Sequence, residues 1–366
     1  RIHYGRVLRV LGELDRAEDE VRGSLERARE AHDREAVAEG LLVLAGIAWG
    51  RGELEECERL AQEGLVLATG PGLIGARAHL LLALTAVQAS RGQLASAAAG
   101  LQEAQALFRD LRMPTARALA LANLAEVLLG QGDAHGAWEY ASDALQEAEE
   151  VGHRLGEAAA RGIRGLAALR TGAFEDARAE FEAATAAARA LGVQSEIAVP
   201  AWHMARLDLE EGDLDAALVN LDTAAAAARL GDPEHYGPAI EVLRAQVLAC
   251  TDNGEAARAL ITRVEARLGR LPMLRRVQVM IDLADTWRLL GEPELARSRA
   301  REVLQVSALR GFRFYQLDAL MLLLRIAGDA EVEHARADVR ALAREIAASL
   351  PMSWQPTFLA RVEGTR

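Results

Sequence analysis

The residues best suited to chemistry lie close together in PAWHMAR, residues 200 to 206. Trp202, His203 and Arg206 put an aromatic ring, a titratable imidazole and a guanidinium on one segment. That set suits an anionic or sugar-like ligand through stacking, charge and hydrogen bonds. The same residues also have a packing reading, in which Trp202 fills a gap against a neighbouring element and His203 is an internally satisfied histidine. Asp282 and Asp285, three residues apart, suit either a metal or basic partner or a solvated acidic face. Cys57 and Cys250 have no metal-ligand spacing, and His135, in the turn-like GDAHGA, reads as surface. The chain has no Walker loop, HExxH, CxxC or GxSxG. It therefore reads as a non-enzyme without cofactor or metal. Catalysis would require Trp202, His203 and Arg206 to converge with a carboxylate in one closed pocket.

Composition narrows the partners. The 366 residues are 51% apolar and 26% charged, with 9 prolines and 4% aromatics. Alanine, leucine, arginine and glutamate dominate, and these lose little side-chain freedom in a helix. All 42 basic residues are arginine, as in a GC-rich coding background, and the net charge is −12. Such a chain repels a phosphate backbone, so direct nucleic-acid binding is not expected. No uninterrupted apolar run reads as a membrane span, and two isolated cysteines fit a reducing, cytoplasmic setting. The chain opens at Arg1 without methionine or signal peptide, inside a helical pattern, and reads as part of a larger polypeptide.

The elements that position these residues follow a fixed beat. Gly12 (GELDRA), Gly52 (GELEEC), Gly92 (GQLASA), Gly132 (GDAHGA), Gly172 (GAFEDA) and Gly212 (GDLDAA) are each 40 residues apart. Looser beats follow at Asp252, Gly291 and Gly328. Five residues after each glycine stands a small residue: Ala17, Cys57, Ala97, Ala137, Ala177, Ala217, Ala257 and Ala296. Seven residues before stands another: Gly5, Ala45, Thr85, Ala125, Gly165, Ala205, Ala245 and Ala284. Two such rows let paired antiparallel helices approach closely. The glycine between them takes a left-handed turn. Apolar spacing is helical throughout, as in the Phe174, Ala177, Phe181, Ala184, Ala188 stripe, and no segment alternates as a strand would. The reading is all-α: about nine antiparallel helix pairs of ~40 residues over 1–349, stacked as a right-handed superhelical solenoid. Residues 350–366 break the pattern, and Trp354 and Phe358 read as a cap on the last pair or as part of a linker.

The two small-residue rows, NLAEVLLGQGD and the Gly-acid-Leu turns resemble the tetratricopeptide repeat over nearly the whole chain. The period is longer than usual and the large first-helix aromatic is mostly missing. Alanine-rich forty-residue variants look like the C-terminal halves of MalT-like, LuxR-tailed and AfsR-like bacterial transcriptional regulators. The resemblance implies that first helices line a concave groove, with residues about 13, 10, 9, 6 and 3 before each turn glycine facing in. Those positions hold Glu39 and Trp49, His79, Asn123 and Glu126, then Trp202, His203 and Arg206. Beyond them come Gln246, Gln278, Asp282, Asp285 and Arg288, and finally Tyr315 and Arg325. Asn123 matches the position where peptide-binding members carry an asparagine for ligand backbone; it is otherwise a solvated polar residue. The implied function is ligand sensing or docking of a peptide, protein segment or small-molecule effector. It would be coupled to ATPase and DNA-binding domains of the same polypeptide, with homo-oligomerisation possible. A passive scaffold is the alternative.

Charge is uneven: residues 1–70 carry 10 arginines and 15 acids, residues 255–313 carry 12 arginines and 7 acids. The basic stretch suits an acidic neighbour, although random scatter gives the same count. Cys57, in an alanine slot, is expected to be a buried, inert thiol.

Overall fold

The computed structural model describes residues 1–364 apart from Asp252, so the turn expected at Asp252 lies outside the described residues. The chain divides into two compact units, Arg1–Leu124 and Ala125–Arg366. Among the described residues there is no strand.

The first unit contains α1 (Ile2–Val10), α2 (Leu14–Glu30), α3 (Arg34–Gly50), α4 (Leu54–Leu67), α5 (Ile74–Ser90) and α6 (Leu94–Asp110). The boundary between the units falls inside α7 (Pro114–Gln131). The second unit continues with α8 (Ala134–Glu150), α9 (Arg154–Thr171), α10 (Phe174–Ala190), α11 (Ala198–Glu211) and α12 (Leu214–Leu230). Then come α13 (Pro233–Cys250), α14 (Gly254–Glu265), α15 (Met273–Leu289), α16 (Pro293–Arg310), α17 (Arg313–Arg325), α18 (Val332–Ala347) and α19 (Gln355–Glu363). Within each unit, consecutive helices pair and each pair stacks on the next. This is a tetratricopeptide-like solenoid of helix pairs.

The small-residue rows are the contact seams. Ala17, Cys57, Ala97, Ala137, Ala177, Ala217, Ala257 and Ala296 are all 0% exposed. The opposing row is as tight: a Cβ on Gly165 would stand 2.6 Å from Phe181 Cε1, and one on Gly5 2.3 Å from Val21 Cγ2. Burial of these seams, rather than helix propensity, holds the pairs together.

Seven turn glycines, from Gly12 to Gly291, have φ between +72° and +90°. At Gly52 the N–H bonds Trp49 O at 3.0 Å and that of Glu53 bonds Ala48 O at 2.9 Å, so the last carbonyls of α3 are satisfied. Gly328 lies in the α17–α18 connection without a left-handed φ. A second beat falls midway between the first. Gly152, Gly192 and Gly311 are left-handed there, and so are His32 at φ +53° and Arg112 at φ +56°. A side chain in that conformation costs about 1–2 kcal/mol relative to glycine. Arg112→Gly is therefore expected to raise the urea midpoint by the equivalent of about 1 kcal/mol, the gain offset in part by chain entropy.

Cys57 packs as a small hydrophobe, its Sγ 4.0 Å from Ala83 O, and burial pushes its pKa up to about 11. Cys250 is exposed. Titration with a disulfide reagent at pH 8 should label Cys250 in the folded protein and Cys57 only after unfolding.

One segment departs from the sequence expectation about membrane spans. Pro71–Ser90 has a span's length and a mean hydropathy of 1.3. It serves as the first helix of a pair, with Ala78, Leu80, Thr85 and Val87 buried in the first unit. Its apolarity reflects helix packing on more than one side.

Neighbouring repeats of the first unit are also tied by a repeating ion pair. Arg51 reaches Asp15 (2.6 Å) and Glu18, and Arg91, 40 residues on, reaches Glu55 (3.3 Å) and Glu58.

Candidate functional site

In the second unit the first helices α9, α11, α13, α15 and α17 turn their inner faces toward one another. Two ion pairs span that face. Arg206 of α11 grips Asp282 of α15 with two bonds, Nη1 to Oδ1 at 2.8 Å and Nη2 to Oδ2 at 2.6 Å. Arg170 of α9 reaches Asp318 of α17 at 2.6 Å. The pairs are nested, one inside the other, on either side of α13. From α13, Gln246 donates to the Asp282 backbone carbonyl at 3.1 Å, and Thr286 donates to the same carbonyl at 2.7 Å.

Around the ion pairs the face is packed with rings. Trp202 is 0% exposed and His203 3%. Their rings lie 4.4 Å apart, and His203 stacks on Phe181 at 5.5 Å. The Arg206 guanidinium stands 5.7 Å over the Trp202 ring, and Arg170 4.7 Å over Tyr315. Arg275, in the first turn of α15, stands 4.4 Å over Trp202 and 5.4 Å over Tyr236.

Burial sets the electrostatics. It depresses the His203 pKa well below the ordinary imidazole value, and the charges of Arg206, Arg275 and Arg170 push the same way. Burial also draws Arg170 and Arg206 down, but each is raised overall, Arg170 by Asp318 and Tyr315 and Arg206 by Asp282. Burial pushes the Asp282 carboxyl up against the pull of Arg206. His235 falls to about 4, through burial and then Arg275.

These histidines set a pH dependence. Both are neutral when folded, while the unfolded chain takes up protons near pH 6.5. The unfolded state thus binds more protons below that value, and stability present above it is lost as pH falls toward the folded values. Melting temperature should drop between pH 7.5 and 5.5, and His203→Gln should flatten the drop.

The last helix closes the face at one end. α19 packs on α9 and α18. Trp354 meets Trp138 edge-on at 5.5 Å, and Phe358, 0% exposed, lies 6.3 Å from Phe314. Arg361 donates to the Arg170 carbonyl at 3.1 Å and to Glu210 at 3.0 Å. The glycine at 172 permits this approach, since a Cβ there would stand 3.3 Å from the Thr357 carbonyl.

The structure thus brings Trp202, His203, Arg206, Gln246, Gln278, Asp282 and Tyr315 into one buried network. Asp285, Arg288 and Arg325 form a separate group on α15 and α17: Asp285 accepts from Arg288 at 2.7 Å and lies 3.9 Å from Arg325. Glu126 is exposed on α7. The carboxylate that catalysis would need is present as Asp282, each oxygen of which accepts from Arg206, and among the described residues His203 Nδ1 has no hydrogen-bond partner.

In the first unit the candidates lie separately. Trp49 is 42% exposed at the end of α3, and Glu39 pairs with Arg6. His79 bonds the Gly75 carbonyl at 2.9 Å and meets Phe108 edge-on at 4.9 Å. Asn123 is half-buried on α7 and makes no side-chain hydrogen bond among the described residues.

Sequence reasoning did not single out Arg170, Arg275, Tyr236 and Asp318. Arg170 falls one residue off the inward positions and Arg275 lies 16 residues before Gly291, outside them, whereas Asp318, 10 residues before Gly328, does fall on an inward position and was passed over. A charged residue in an otherwise apolar helix stretch was the available signal.

No family model and no curated protein matches the sequence. Solved structures match its shape. NprR in complex with its cognate peptide NprX superposes with a TM-score of 0.69 at 11% identity, covering 94% of this chain and 97% of that one. A Rap protein complexed with competence and sporulation factor gives 0.65 at 14%, covering 81% and 80%. Aspartyl phosphate phosphatase F from Bacillus subtilis gives 0.60 at 15%, covering 78% and 75%. The likeness is one of fold: a tetratricopeptide-like helical repeat protein.

Proposed function

We propose that this chain is a peptide-docking regulatory domain that holds its effector on the inner faces of its first helices. The observation that carries the reading is the likeness, over nearly the full chain, to NprR in its peptide complex. Asn123 supports it: an amide both donates and accepts, and here it is free to pair with a peptide bond. Occupancy of the second unit would rearrange its nested ion pairs, giving effector binding a structural output. In the finer form of the proposal, residues 1–349 are the sensor array and 350–366 its closing element. Its output would pass to ATPase and DNA-binding domains of a cytoplasmic bacterial transcriptional regulator, directly or through self-association.

A thermal-shift screen of pooled short peptides tests the reading, since a ligand of the folded state stabilises it by mass action. At least one peptide should raise the melting temperature. Asn123→Ala should weaken that peptide by about 1 kcal/mol, roughly fivefold, without lowering the melting temperature of the free protein. If no peptide binds and protein partners are captured instead, the passive scaffold stands in its place.

A further inference from the structure

The ring-packed cluster on the inner face of the second unit includes three arginines with different fates. Arg170 and Arg206 each have an aspartate 2.6 Å away. Arg275 has no carboxylate within ion-pair distance among the described residues. Its one hydrogen bond is Nη1 to Gln278 Oε1, a neutral amide, at 2.9 Å. The guanidinium is held over the Trp202 and Tyr236 rings instead. Two N–H groups of this cluster are buried without acceptors among the described residues: Arg275 Nε and Nε1 of the fully buried Trp202. A buried donor without an acceptor is costly, so the cluster lacks an acceptor rather than a donor. Of the three guanidiniums, that of Arg275 alone lacks a carboxylate in direct contact among the described residues.

We propose that Arg275 is the receptor for a single carboxylate of the effector, with the Trp202 and Tyr236 rings holding the guanidinium in place. A carboxylate matches the guanidinium's planar fork with two parallel bonds. The surroundings select for one charge rather than several. Exposed Glu126 and Glu196, with Asp232, act on the Tyr236 hydroxyl next to Arg275, and they repel a phosphate or polyanion more than a monoanion. The inference rests on the peptide-docking reading only for the source of the carboxylate, a chain end or an acidic side chain.

The test uses the full chain and follows the Trp202 indole N–H resonance, assigned with Trp202→Phe. The probes are N-acetylglycine, whose acid mimics a chain end, acetyl-aspartic acid amide, whose acid is a side chain, and inorganic phosphate. A saturable shift with a carboxylate probe is expected, and the probe that responds identifies the source. Arg275→Gln should weaken it about tenfold or more. Arg275→Lys keeps the charge without the fork and should weaken it less, with the fold of both variants checked by circular dichroism. No saturable shift, an equal shift in Arg275→Gln, or an equal response to phosphate overturns the inference. Peptides that bind regardless of Arg275→Gln would remove this site and leave the docking function. A carboxylate response without any peptide ligand would do the reverse.

Discussion

Asp282→Ala should lower the stability of the second unit by about 3–5 kcal/mol, because it strands the Arg206 guanidinium in a buried setting. The Asp282 side chain is 5% exposed and that of Arg206 18%. Without Asp282, the Trp202 ring 5.7 Å away and Tyr315 remain to face the cation, and neither supplies a formal negative charge at neutral pH. Removing both charges is a different experiment. Burial already pushes the Asp282 carboxyl up despite its partner, so ionising it there has a cost. Arg206→Met with Asp282→Leu removes both desolvation costs and should be close to neutral or stabilising. Urea unfolding followed by circular dichroism distinguishes the cases. A single-variant loss below about 1 kcal/mol would mean that water reaches the pair and screens it.

Phe358→Ala should be nearly as damaging, by about 3–5 kcal/mol, and its effect should spread beyond α19. Phe358 fills the space between α19 and Phe314 of α17, while Arg361 ties the same helix to the end of α9 and to α11. Loosening α19 should expose amides at the C-terminal end of α9, far from residue 358 in sequence. Hydrogen exchange read by mass spectrometry would show faster exchange around residues 167–172 as well as in 355–363. Faster exchange confined to α19 would show that the helix is only an appendage.

Most of the helix pairing was legible because it is local and periodic. The Gly12-to-Gly212 beat and the two small-residue rows have one physical cause, close helix approach, repeated at one spacing. The second beat was harder to read, since His32 and Arg112 occupy left-handed positions that usually take glycine. The site was legible in parts. Trp202, His203 and Arg206 were singled out by type and spacing, and Asp282 by its place on the same kind of face. Their burial, and the choice of Asp282 as the partner of Arg206 76 residues away, depend on how tightly the second unit curves. No local signal carries that curvature. Arg170 and Asp318 show the same limit at a separation of 148 residues.

That closure also bears on how the second unit forms. A solenoid whose repeats touch only their neighbours gains structure one repeat at a time, and ends can fray alone. Here contacts join residues 148, 151 and 191 positions apart. Each needs the ends of a long chain segment brought together before it returns any stabilisation. The second unit should therefore refold more slowly, and melt more nearly as one body, than an open array of equal length.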